Sequence, residues 1–132
     1  MSDADAYLTA MAAQLRGLRD VATEVAREAA PAVEAVIRRS AAAGTSVEGA
    51  PWPPKRDGSR ALPDAAKNIT AASVGTTVIV TLTGPYVFHN SADGPDRRRI
   101  LPEEGAPLAP ALARVVEDAS QRVIARRTAG MR

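Results

Sequence analysis

His89 is the sole histidine of this 132-residue chain, and it ends the run Gly84-Pro85-Tyr86-Val87-Phe88-His89. An imidazole titrates near neutral pH, so it suits acid–base work or metal ligation. Either role needs partners. The nearest acids are Asp93 and Asp96, in a segment that also holds Gly94 and Pro95. The chain has no Cys, and one His without thiolates cannot build a usual zinc site. His89 therefore reads as a structural or interface residue before a catalytic one. Glu103 and Glu104 are the one pair of adjacent glutamates. Adjacent carboxylates do not normally converge on one bond. This pair precedes a predicted helix, where anions complement the dipole. The glycines never take the spacing of a phosphate loop, and no Ser or Thr sits in a nucleophile elbow. The sequence predicts no enzyme, no metal and no cofactor.

Arg97-Arg98-Arg99 is the sharpest charge feature. Three guanidiniums in succession can grip phosphates or carboxylates bidentately. Asp93, Asp96, Glu103 and Glu104 flank them and nearly neutralise the segment. A solvated loop, or an ion-pair set at a subunit interface, is favoured over direct DNA contact. The formal charge of +2 is too small to imply a nucleic-acid-binding domain. Two rivals stay open. One is a small nucleic-acid-binding module using Arg97–Arg99 and the C-terminal cluster Arg122, Arg126 and Arg127. The other is a hydrolase centred on His89.

The elements that must position these residues follow from periodicity. Ala4, Leu8, Met11, Leu15, Leu18, Ala22, Val25, Ala29, Ala32 and Val36 are spaced by strict four-three steps, which places them on one stripe of a helix. Asp3 or Ser2 is a candidate cap. Pro31 predicts a kink or a second short helix over 31–42, and Gly44 a stop. The stripe suits packing within the domain and an inter-subunit helix seam equally well. Residues 44–67 are rich in Gly and Pro and read as a loop; Trp52 lies inside it, a side chain that can pin such a loop to the core. Residues 69–74 and 77–83 alternate as a hairpin around Gly75-Thr76, with Val78, Val80 and Leu82 on one face. A two-stranded hairpin is marginal alone. It needs a covering helix or a third strand, for which Tyr86–Phe88 or Arg99–Leu101 are candidates. Pro107 and Pro110 mark the start of a last helix to about Arg127, with Leu108, Leu112, Val115, Val116, Ala119, Val123 and Ile124 as its apolar stripe.

Composition limits the core. Ala supplies 28 of the 60 apolar residues, and Leu, Ile, Val and Phe together number 26. Small side chains bury little area each, so partners or self-association are expected to add stability. The N-terminus is acidic with no apolar leader, and no apolar run approaches the ~20 residues that span a membrane. The chain is expected to be soluble, made in a cytoplasm and free of membrane contact. The fold class expected is α+β, in one domain over 1–132. It comprises a helical arm (1–43), a Pro/Gly loop (44–67), a small, mostly antiparallel sheet with loops (68–102) and a C-terminal helix (107–127).

Read in order, these pieces carry a resemblance. Gly49-Ala50-Pro51-Trp52-Pro53-Pro54, Thr77–Thr83, Pro85-Tyr86-Val87-Phe88-His89, Arg98-Arg99-Ile100-Leu101-Pro102 and Leu108–Ile124 follow an N-terminal amphipathic helix. This layout resembles the neck and tail-completion (virion morphogenesis) proteins of tailed bacteriophages. Two segments depart from that pattern. Residues 62–69 lack the usual glycine, and Gly94 stands five residues after His89. The resemblance implies a virion structural protein, assembled in the host cytoplasm, in a homo-oligomeric ring at the head–tail junction. Its implied partners are head-closure or adaptor proteins and tail-terminator or tail-tube proteins, with passing contact to packaged DNA. A tail-terminator or head-closure role in the same assembly is the neighbouring alternative. The implied interface residues are Leu8, Met11, Leu15, Leu18, Trp52, Tyr86, Phe88, His89, Arg97, Arg98 and Arg99.

Overall fold

A computed structural model gives the element order α1 (Asp3–Ala43), a 3-10 turn (Ala65–Asn68), β1 (Ile69–Val74), β2 (Thr77–Leu82) and α2 (Pro110–Ala129). The structure describes residues 2–53, 62–84, 86, 98–102 and 105–130. The fold is α+β, as the sequence predicts.

Both ends of α1 are fixed by local chemistry. The Ser2 hydroxyl accepts from the Asp5 N–H at 3.2 Å, and the Asp5 carboxylate accepts from the Ser2 N–H at 3.3 Å. This capping box satisfies two donors that the first turn would leave unpaired. At the other end Gly44 takes φ 75, a left-handed conformation that is strained for a residue with a Cβ. The Gly44 N–H then reaches Ala41 O at 3.1 Å, and the Thr45 N–H reaches Ser40 O at 3.0 Å, the pairing of a Schellman motif.

Between these caps the helix is unbroken for 41 residues, about 60 Å at 1.5 Å per residue. Of the two outcomes expected at Pro31, the separate second helix over 31–42 is corrected, since the helix runs through the proline. Proline removes the bond to the carbonyl of Arg27. Pro31 and Arg27 are both exposed, so water can serve that carbonyl. Ala29, Ala30, Val33 and Ile37 are buried on both sides of the proline and hold both halves to one core.

The buried face also differs from the predicted stripe. Ala26, Ala29, Ala30, Val33, Ile37 and Ala41 are buried, whereas Ala22 is exposed and Val25, Ala32 and Val36 are half-buried. A strict seven-residue repeat drifts by ~20° per heptad around a straight helix. Over the four heptads from Leu8 to Val36 the stripe turns away from the face that carries Ile37.

The hairpin pairs as its sequence predicts. Ile69 faces Leu82, Ala71 faces Val80, and Val74 faces Thr77 across the two-residue turn Gly75-Thr76, where Gly75 takes φ 59. Val78, Val80 and Leu82 pack against the core. Neither candidate third strand appears among the described residues. Arg99–Leu101 pairs with no strand, Tyr86 is helical, and Phe88 lies outside the described residues. The covering helix does the work instead. Side chains of α1 also occupy the outer edge of β1: Ala71 N–H donates to the Glu34 carboxylate at 2.8 Å, and Arg38 Nε donates to Ile69 O at 2.8 Å. An open strand edge is a template for unwanted pairing, and here the first half of that edge is occupied.

The loop after α1 folds back at once. Thr45 bridges Pro51, and the Trp52 N–H donates to Gly44 O at 2.8 Å. The Trp52 indole is buried, and its Nε1–H donates to Arg99 O at 3.0 Å. This is how a lone Trp pins a Pro-rich loop. The core then comprises Ile37, Ile69, Ile100, Leu112 and Ala119 with neighbours from every layer. The start of α2 is corrected from Pro107 to Pro110, and its end from Arg127 to Ala129. A residue before proline is driven out of the helical region; Ala109, at ψ 143, is extended and ends the preceding segment, while Pro110 needs no N–H partner at the first helical position.

Removal of the Glu34 carboxylate leaves the Ala71 N–H of a half-buried strand edge without its charged acceptor. Glu34→Ala is expected to cost about 1–3 kcal/mol, the range for a hydrogen bond to a charged group. Urea unfolding followed by circular dichroism measures this, with Glu48→Ala, at an exposed position, as the neutral control.

Candidate interaction surface

Two carboxylates one turn apart on α1 meet two guanidiniums one turn apart on α2. Arg122 Nε donates to Glu28 at 2.8 Å, and Arg126 bonds both Glu28 and Glu24. Arg127 Nε donates to Glu24 at 3.0 Å. Rising numbers on α2 meet falling numbers on α1, so the helices run antiparallel. The Arg126 and Arg122 guanidiniums hydrogen-bonded to Glu28 hold its carboxyl down at about 2. Arg126 and Arg127 lower Glu24 in the same way, and the two carboxylates raise Arg126 above its ordinary value. In the sequence these arginines read as a C-terminal cluster that one rival gives to DNA. Their partners were missed, although the four-residue spacing of Glu24/Glu28 and of Arg122/Arg126 was the available signal.

The helices differ in length, and that difference creates the candidate surface. With 20 residues, α2 spans about 30 Å, half of α1. Its last turn comes level with the middle of α1, where Gln14, Gly17, Leu18, Val21, Ile124 and Gly130 line an open cleft of about 720 Å³. The N-terminal part of α1 continues beyond it as an arm. Leu8, Leu15 and Leu18 are 60%, 60% and 67% exposed, and Tyr7 is 65% exposed. Met11 completes the line. Burial of one such side chain is worth about 1.5–3 kcal/mol, so the arm carries a large unsatisfied apolar surface. Ile124, predicted within the buried stripe of α2, is 55% exposed beside the cleft, and Leu108 is exposed before the helix starts. Below the cleft the same line of α1 becomes the floor of a second apolar groove of about 470 Å³. Val25 and Ala22 form that floor, with Thr76 and Val78 on the hairpin side and Val116 and Ile124 on the α2 side.

The residues singled out by the sequence fall at opposite ends of α1. Leu8, Met11, Leu15 and Leu18 are brought together on the arm. Trp52, Tyr86, Arg98 and Arg99 belong to the far end, around Gly44 and the sheet. There Trp52 is inside the core and Tyr86 packs against it, so neither presents an open face. Arg98 Nε donates to Pro53 O at 2.9 Å, and Arg99 Nε to Leu101 O at 3.1 Å. Both arginines tie loop backbone together. Phe88, His89, Arg97, Glu103 and Glu104 lie outside the described residues. Among the described residues no group of three His, Cys, Asp or Glu side chains is placed to hold a metal ion, and no helix is long and apolar enough to cross a membrane. No family model, curated protein or solved structure significantly matches the chain.

The lowered Glu28 and Glu24 carboxyls tie stability to pH. A carboxyl whose folded-state pKa lies below its unfolded value stabilises the fold above the unfolded value, and that contribution is lost as pH falls. Stability is therefore expected to decline between about pH 4.5 and about pH 2, the ordinary and folded values of Glu28. Glu28→Gln is expected to flatten that part of the profile. Urea midpoints at a series of pH values, for both chains, measure it.

Proposed function

We propose that this chain is an assembly protein of a bacteriophage virion, acting at the head–tail junction as part of a homo-oligomeric ring. The observation that carries the reading is the arm. A helix of 41 residues extends past every element packed on it and displays Leu8, Met11, Leu15 and Leu18 to solvent. A monomer with a thin, Ala-rich core gains stability when such a surface is covered. The order of segments resembling neck and tail-completion proteins supplies the context. The protein's work in that setting is geometric: one end of α1 offers an apolar helix face, and the other a loop cluster tied by Trp52, Arg98 and Arg99. The tail-terminator and head-closure roles share this surface logic. The DNA-binding alternative loses support because Arg98, Arg99, Arg122, Arg126 and Arg127 are all engaged within the chain.

Light scattering across a concentration series, alone and with the products of neighbouring genes, tests the reading. Purified particles probed for the chain give the second readout. A defined assembly, formed alone or on addition of a neighbour, together with the chain's presence in particles, is the expected result. A strict monomer that ignores those neighbours and is absent from particles overturns it.

A further inference from the structure

The arm's own residues specify what covers it. Leu8, Met11, Leu15 and Leu18 form a seam with three- and four-residue steps, the spacing by which two helices interlock side chains. Turn a second copy of the arm end for end against the first, and Leu8 meets Leu18 of the other copy while Met11 meets Leu15. Ala4 meets Ala22, two small residues that let the backbones approach. The pattern is its own complement about a point midway between Met11 and Leu15.

The flanks agree with that arrangement and with no parallel one. On one side of the seam, Asp5 falls opposite Arg19 of the other copy, and the same pair recurs at the other end. Among the described residues the Arg19 side chain makes no ion pair, and the Asp5 carboxylate bonds Ser2 at its own cap. In a parallel pairing Asp5 and Arg19 stand too far apart along the axis to meet. On the other side, Tyr7 falls opposite Val21. Val21 lines the cleft that the end of α2 makes with α1, over Gly17, where no Cβ intrudes. The exposed Tyr7 ring thus has a receiving site beside Ile124. Beyond it, the tip of the second arm enters the groove floored by Ala22 and Val25.

We infer that the free chain pairs with a second copy through antiparallel α1 arms, Leu8 against Leu18 and Met11 against Leu15, with Tyr7 of each copy seated in the other's cleft. The contact is isologous and closes at two copies. The described parts of the two bodies lie at opposite ends of the paired arms. The inference stands on the arm's own pattern and does not require a virion role.

The chain contains no cysteine, so introduced thiols report without background. Leu8→Cys and Leu18→Cys chains are oxidised separately and after mixing, with light scattering on the unmodified chain. The expected result is twice the chain mass, and a cross-linked dimer that forms efficiently only in the mixture. Leu15→Glu places a charge in the seam and is expected to weaken pairing by about 100-fold or more. Its helical content stays intact, because position 15 is outside the core. Cross-linking of Leu8→Cys alone means a parallel pairing and overturns the inference. So does a monomer, including one whose arm is covered only by another protein; that last result leaves the head–tail reading standing. A dimer indifferent to every neighbouring gene product, from a chain absent from particles, supports the pairing and removes the head–tail reading.

Discussion

One constraint governs this molecule: α1 is twice as long as anything packed against it. Its C-terminal half carries Ala26, Ala29, Ala30, Val33, Ile37 and Ala41 into the core. The alanines let α2 approach closely, while Ile37 fills the space that the small sheet leaves. The other described elements are arranged mainly on that half. A hairpin too small to stand alone lies on one side, and a helix half as long lies on the other. The N-terminal half has the same amphipathic character, and among the described residues its first two-thirds is exposed.

Polar contacts then orient the layers. Hydrophobic burial is non-directional and by itself would let α2 slide or rotate on a smooth alanine face. The Glu24/Glu28 set with Arg122, Arg126 and Arg127 fixes the antiparallel register, and exposed pairs of this kind are worth more as a network than singly. Glu34 and Arg38 act similarly on the sheet. They grip the outer backbone of β1 directly, so the hairpin is held by its edge as well as by its apolar face. Arg98, Arg99 and the Trp52 indole tie the loop after α1 to residues 98–102 through backbone carbonyls. Arg38, Arg98, Arg99, Arg122, Arg126 and Arg127 thus serve the chain's own architecture.

The arm links fold to function. An isolated helix turn without tertiary packing is marginal, yet here capping by Ser2 and Asp5, a high alanine content and continuity with a packed half sustain it. A helix prepared in this way loses little entropy on docking, the advantage of preorganisation. The same apolar seam that would make a lone arm prone to nonspecific association has paired charges and an adjacent cleft that restrict which partner and which direction fit.

The sequence by itself determined the local features. Ser2 and Gly44 mark the ends of α1, Gly75-Thr76 sets the hairpin register, and the four apolar residues of the arm are legible as one helix stripe. Each of these rests on residues within one or two turns of each other, where spacing and dihedral preference decide. The candidate surface was legible only as two equal possibilities, core or seam, because periodicity states that a face is apolar and not what lies over it. Tertiary structure decided the rest. The length of α2 and its docking point leave Leu8 and Leu18 exposed and Ile37 buried. Trp52 was offered as an interface residue but meets Arg99, 47 positions away, and becomes core. Glu28 meets Arg122 across 94 positions, and Glu34 meets Ala71 across 37. Such pairs depend on how separate elements pack in three dimensions; spacing such as that of Glu24/Glu28 and of Arg122/Arg126 marks groups able to pair and does not say which elements meet.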